Sequence, residues 1–480
     1  MNKCSSIKSN FFYQVLYNCV TVIIPLVVTP FLTRALLENK IGEFTYSRSI
    51  ASYFVLFAML GIVKYGQRLI SQNRDDEYRL RKSFWSLYYV HAVFSIVAFV
   101  VYLLAVLFVV DNKTLYLIQG IYVLSALFDI TWLYYGLENF KGVVIRNAII
   151  KIIEAILYIF LVRTPDDIYL YAVINCSAFL LSQIVLMPSA TKMIKPISVK
   201  WEECRVHIKP LLTFAVAVIG ITLYTVFDTT LLGIFSTKNN VAFYEYSNRI
   251  ARIPLVVASV IGTVLFPRAC KLVSQNNFDE QKKYLQFSMI VVSIIGSVSF
   301  WGLQIVGEPL AQLYLGDNFS SCGPIIGALS SLVYIVGIGD VVRTQVMIPN
   351  GMDKQYIISI MLSAITNLVL STVLIIIFPK EIQVYGAVIG TIVAEFIGMV
   401  YQFVLCRKYF SLKKLLQTVV LTCIVGALMY IVLRIFTINI GWNVVTLMII
   451  IAFGALIFIP SILVYIYVFE KDFRKVILRK

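Results

Sequence analysis

Apolar runs of about eighteen residues or more recur along the chain, parted by short polar and basic stretches. A helix of that length matches a hydrocarbon core roughly 30 Å thick at about 1.5 Å per residue. The pattern predicts transmembrane helices near 11–33, 41–63, 85–110, 114–136, 144–163, 167–187, 208–235, 242–266, 286–313, 322–348, 355–378, 382–406, 413–436 and 442–469. Prolines fall inside or beside several of these spans (Pro25, Pro30, Pro254, Pro349). In a membrane helix they predict bends, because neighbouring groups can satisfy the freed carbonyls.

Composition agrees with this pattern. Of 480 residues, 60% are hydrophobic and 14% charged, against roughly a quarter charged in a soluble protein. The surplus apolar surface requires a lipid solvent. A net charge of +16 would otherwise point to nucleic acid, but the basic residues sit in loops between spans, where they act as topology signals and predict no nucleic-acid partner. With the amino terminus inside, one set of turns holds Lys64, Arg68, Arg74, Arg79, Arg81 and Lys82, then Lys192, Lys195, Lys200, Arg205 and Lys209, then Lys282 and Lys283, then Arg407, Lys408, Lys413 and Lys414. The tail adds Lys471, Arg474, Lys475, Arg479 and Lys480. Roughly 29 basic residues fall on this side and about 7 on the other, which predicts cytoplasmic termini. The outer loops are too short to form a domain.

The chain repeats itself. FLTRALLENKIGEFTYSRSI, between the first two spans, resembles LLGIFSTKNNVAFYEYSNRI, between the seventh and eighth. Phe44, Tyr46, Ser47 and Arg48 thereby align with Tyr244, Tyr246, Ser247 and Arg249. The expected fold is an all-α integral membrane protein of about fourteen transmembrane helices. Residues 1–190 form a six-helix lobe, 191–207 a basic linker, 208–408 a second six-helix lobe, and 409–480 two additional helices with a basic tail. Parallel six-helix repeats of this kind predict two pseudo-symmetric lobes around a central cavity.

An ionisable group inside a span costs at least about 2.5 kcal/mol at the helix centre unless paired or wet. Arg48, Arg249 and Arg252 lie in spans, with Glu245 four residues before Arg249 and Asp228 near the end of the seventh span. Two readings stand. The arginines line a cavity and grip an anionic group through their planar forks, with Tyr46 and Tyr246 beside them; or they snorkel to headgroups about 10 Å away. A second set holds Asp129, Lys151 and Glu154, and in the other lobe Asp340 and Arg343. It reads as structural ion pairing or as gating. Glu395, alone among small residues in the twelfth span, reads as a coupling-ion site or as a protonated acid bonded to a neighbouring helix. Gly386 and Gly390 suit helix packing rather than phosphate cradling. The cysteines lack a C-x-x-C pair and the two histidines, His91 and His207, lie far apart. No motif for nucleotide, metal or covalent catalysis stands out, so neither a cofactor nor an enzyme is expected.

The stretch PFLTRALLENKIGEFTYSRSI resembles the opening signature of the polysaccharide-biosynthesis flippase family, which includes O-antigen and capsular repeat-unit flippases. Further matching segments are WLYYGLENFKGVVIRNAIIK, LFPRACKLVSQNN, LYLGDNFSSCGPIIGALS, IPNGMDKQYIISIMLSAITNLVLS and VYGAVIGTIVAEFIGM. They cover most of the chain, in order. The resemblance implies two six-helix lobes in a V, and as substrate an undecaprenyl-diphosphate-linked oligosaccharide moved across a bacterial cytoplasmic membrane. A polysaccharide polymerase and chain-length proteins are then possible partners, alongside membrane lipids. In related lipid II flippases, arginines on the second and eighth spans matter; Arg48 and Arg249 match them, while the first-span arginines of those relatives have no counterpart here. A drug exporter of the same superfamily is the alternative, with a membrane glycosyl polymerase or ligase behind it.

Overall fold

The computed structural model describes residues 7–109, 113–437 and 441–469. The expected cytoplasmic ends at 1–6 and 470–480, with the basic tail, lie outside the described residues. The chain divides into two compact units, Met1–Gly233 and Ile234–Lys480.

The first unit runs through α1 (Ile7–Met59), α2 (Ile62–Asn73), α3 (Glu77–Val109), α4 (Lys113–Ser125), α5 (Thr131–Gly136), α6 (Phe140–Leu161), α7 (Ile168–Ile184), the short α8 (Met187–Met193) and α9 (Trp201–Arg205), and most of α10 (Ile208–Phe235). The turn expected between the first two spans is a single residue. Leu37, at φ 59 and ψ 166, breaks α1 into two limbs without a loop. This conformation is nearly restricted to glycine. Gly61 (φ 74) then separates α1 from α2, where an added Cβ would lie 2.8 Å from the Phe214 backbone. Below it, α2 and α5 pack closely because Gly66 receives the Trp132 indole and Gly136 receives Ile70. Trp132, Ile70, Leu87 and Leu133 centre the core there.

The expected span at 114–136 is interrupted. After α4 a 3₁₀ turn (Ala126–Phe128) leads to Asp129 with extended backbone, and α5 follows. Asp129 Oδ1 accepts from Thr131 N at 2.9 Å and Thr131 Oγ1 at 2.6 Å, and its carbonyl accepts from Trp132 Nε1 at 3.1 Å. The carboxylate therefore satisfies a backbone N–H two residues on at the break, as aspartate side chains do in turns.

The second unit contains α11 (Lys238–Ala251), α12 (Ile253–Ser274), α13 (Phe278–Leu310), α14 (Cys322–Leu329), α15 (Leu332–Val342), α16 (Asp353–Ile377), α17 (Gln383–Cys406), α18 (Leu412–Thr437) and α19 (Val444–Phe469). The expected span at 242–266 breaks at Arg252, followed two residues on by Pro254, whose ring nitrogen has no hydrogen to continue the ladder. Gly386, Gly390 and Gly398 form a seam on α17 into which Ile375, Ser371 and Ser363 of α16 fit. That is the helix packing expected of them.

Polarity along α16 is inverted relative to a soluble helix. Ser359, Ser363, Asn367 and Ser371, each four residues apart, are buried, whereas Ile365, Val369 and Ile376 are 56%, 57% and 57% exposed. Exposed Leu416, Val420, Ile424, Leu428, Ile431 and Ile435 make a similar stripe on α18. Such faces need hydrocarbon around them. Among the described residues, 11 helical segments are long and apolar enough to cross a membrane. The first combines the expected spans at 11–33 and 41–63. The helix at 144–163 does not qualify because it carries Arg146, Lys151 and Glu154. In the region of 208–235 only the shorter Val226–Phe235 is counted.

Candidate functional site

Four helices of the first unit bring an arginine, a lysine and a carboxylate together. Arg48 comes from the second limb of α1. Its guanidinium carbon lies 3.1 Å from the Tyr122 ring centre on α4 and 4.4 Å from the Phe179 ring centre on α7. Tyr122 lies three residues after Gln119, and Phe179 three after Cys176, so each ring shares a helix face with a polar group. Arg48 Nη1 donates to Gln119 Oε1 at 3.3 Å and to Cys176 Sγ at 3.9 Å. The Cys176 thiol donates to the same Gln119 oxygen at 3.4 Å, and Gln119 Nε2 donates to Ser47 Oγ at 3.3 Å. Among the described residues no carboxylate pairs with Arg48. Two aromatic faces and neutral acceptors hold its charge.

Lys151 of α6 reaches the same ring, with Nζ 5.0 Å from the Phe179 centre. It pairs with Glu154 at 2.7 Å. Glu154 is 4% exposed, and its other oxygen accepts from Tyr158 Oη at 2.7 Å and Asn175 Nδ2 at 2.9 Å. The sequence reading placed Arg48 and Lys151 in separate sets; Phe179 joins them. It also grouped Asp129 with Lys151 and Glu154, but Asp129 serves the helix break. Phe179, Gln119, Tyr122, Cys176 and Asn175 were missed. Their signal was present as polar–aromatic pairs three or four apart in otherwise apolar spans.

Tyr46 packs its ring onto Gly233, where no side chain fits. Asp228 is buried on α10, two residues before Thr230, whose hydroxyl meets Tyr53 Oη at 2.9 Å and Ser49 Oγ at 3.1 Å.

In the second unit, Arg249 pairs with Glu245 at 2.9 Å along α11, and its guanidinium carbon lies 5.4 Å from the Tyr246 ring centre. Arg249 is exposed and Tyr246 buried, edge-on to Phe319. Arg252 Nε donates to Asn248 Oδ1 at 2.7 Å. Asp340 and Arg343 approach to 3.6 Å along one helix. Glu395 is half-buried on α17.

These features define a multi-pass helical membrane protein whose first unit holds a half-buried arginine with no carboxylate partner among the described residues. The polysaccharide biosynthesis protein family matches residues 7–273, and the chain belongs to that family. It is 24% identical to a putative O-antigen transporter of Shigella dysenteriae over 388 residues, covering 79% of this chain and 94% of that one. In fold it is similar to the lipid II flippase MurJ in an inward closed conformation, with a TM-score of 0.74 at 15% identity over 94% of this chain and 99% of that one. It also resembles an inward-facing multidrug resistance MATE family transporter, with a TM-score of 0.59 at 13% identity over 82% and 94%.

Proposed function

We propose that this protein is a flippase that moves an undecaprenyl-diphosphate-linked oligosaccharide repeat unit from the cytoplasmic to the outer leaflet for surface polysaccharide synthesis. The observation that carries the reading is Arg48: a half-buried guanidinium inside an apolar bundle, bonded to neutral groups and rings and to no carboxylate among the described residues. A cation kept this way retains its attraction for a diphosphate, because no carboxylate among the described residues pairs with it. The O-antigen transporter and lipid II flippase relatives support the substrate class.

In this reading the chain crosses a bacterial cytoplasmic membrane about fourteen times with both ends inside. Residues 1–190 and 208–408 are its two six-helix lobes, and 409–480 carry the extra pair. Arg48 with Tyr46, and Arg249 and Arg252 with Tyr246, contact the anionic head during the cycle. Lys151, Glu154, Asp228, Asp129, Asp340, Arg343 and Glu395 are assigned to coupling or gating, and Asp129 also holds the turn before α5. A polymerase and chain-length proteins would receive the product.

The test is flipping of a lipid-diphosphate-linked glycan in proteoliposomes. Wild-type protein should flip it, faster when the side equivalent to the cytoplasm is negative, and Arg48→Ala should not. Unimpaired flipping by Arg48→Ala overturns the assignment of Arg48. Export of a cationic dye without glycan flipping would favour the exporter reading that the MATE-like fold permits.

A further inference from the structure

Two lysines share a groove in the second unit. Lys282, in the first turns of α13, and Lys414, in the first turn of α18, line one groove where these two helices pack. The groove is partly open to its surroundings. Gln286 and Ser411 add hydrogen-bonding groups, and Phe410 and Leu415, both nearly buried, make an apolar wall.

No carboxylate lines this groove. Among the described residues neither lysine makes an ion pair, and the nearby Glu280 is engaged by Arg268 at 3.0 Å. Two like charges on one concave surface repel each other and favour an anion between them. Lys414 also sits over the opening turn of α18, where backbone N–H groups add positive potential.

The wall selects the kind of anion. Half-apolar lining is unsuited to a free hydrated ion. Beside the groove begins the exposed stripe Leu416, Val420 and Ile424 of α18, a surface for an acyl chain. The groove lies at the helix ends marked by basic loops, which is the headgroup level of the cytoplasmic leaflet on the sequence reading. Basic pockets between helices on that side suit anionic headgroups.

We propose that this groove binds the phosphate of an anionic phospholipid, phosphatidylglycerol or cardiolipin, with an acyl chain along the outer stripe of α18. The site is separate from the transported substrate and stands or falls apart from it.

The test is native mass spectrometry of the purified full chain titrated with phosphatidylglycerol or phosphatidylcholine of the same acyl chains. Wild-type protein should prefer phosphatidylglycerol by about tenfold, and the preference should shrink as salt rises. Lys282→Gln with Lys414→Gln should remove the preference, whereas Lys282→Arg with Lys414→Arg should keep it. Lys192→Gln with Lys195→Gln, in a basic segment of the first unit, should also keep it. An unchanged preference in the glutamine pair overturns the proposal. So does displacement of the lipid by millimolar inorganic phosphate, which marks a free-phosphate site. If the glutamine pair fails to fold, a salt-independent wild-type preference overturns it equally. Because nothing is transported in this assay, a protein that binds phosphatidylglycerol but does not flip glycan refutes the proposed function alone.

Discussion

The Arg48 guanidinium lies 3.1 Å from the centre of the Tyr122 ring, on a neighbouring helix of the same unit. A partly desolvated contact of this kind is worth about 1–2 kcal/mol. It keeps a cation inside the bundle without cancelling its charge, which a carboxylate would do.

Substitutions at this contact should separate charge from geometry. Arg48→Ala should abolish surface-polysaccharide display while the protein still reaches the membrane. Arg48→Lys should restore only part of it, because an ammonium keeps the charge but loses the planar stacking and the fork. Tyr122→Leu should retain reduced activity, since the cation remains but is less well held. Complementation of a flippase-deficient strain, with membrane fractions probed for protein, reads all three. Full activity of Arg48→Ala would return this residue to a snorkelling role.

Lys151 and Glu154 are set up for a double-mutant cycle. Glu154 is nearly buried, so Lys151→Met leaves a carboxylate with only Tyr158 and Asn175 as donors. Stranding one partner of a buried pair costs about 3–5 kcal/mol, here toward the low end because Lys151 is one-third exposed. We expect a clearly lower Tm in detergent for Lys151→Met, and recovery of much of it in Lys151→Met with Glu154→Gln. If the two changes simply add, the pair is not a structural unit.

Leu37 carries backbone strain. A non-glycine residue at φ 59, ψ 166 costs about 1–3 kcal/mol. Glycine there forfeits about 0.5–1 kcal/mol of unfolded-chain entropy. Leu37→Gly should therefore raise Tm slightly or leave it level, and Leu37→Val should lower it. A marked fall in Tm for the glycine variant would show that the leucine side chain, 37% exposed, matters more than the strain.

His207 gives stability a pH dependence. Its ring, just before α10, meets Tyr65 Oη at Nδ1 and Ser86 Oγ at Nε2, each at 2.8 Å, tying the linker to α2 and α3. Burial pushes its pKa below the ordinary value of about 6.5. The unfolded chain then takes the proton first, so this contribution is complete above about pH 6.5 and is lost as pH falls toward the folded pKa. Wild-type Tm should drop on acidification through this window more than that of His207→Gln. Parallel Tm profiles for the two proteins would rule the histidine out as the cause.

Local pattern made much of the protein legible from sequence alone. Apolar length identifies a multi-pass helical membrane protein, because bilayer thickness and the hydrogen-bonding needs of the backbone act on each segment separately. The costly charges were visible for the same reason: an arginine in an apolar run stands out without knowledge of its neighbours. The Gly386–Gly390 seam was legible too, since small residues four apart mark a face whatever lies opposite. Only the tertiary structure decided which side chains meet. Phe179 lies beneath both Arg48 and Lys151, Asp129 turns to its own broken helix, and Lys282 shares a groove with Lys414 from 132 positions along the chain. Such meetings depend on the rotation and axial shift of each helix against the next. Packing among many helices at once determines these, and the periodicity of any one span does not contain them.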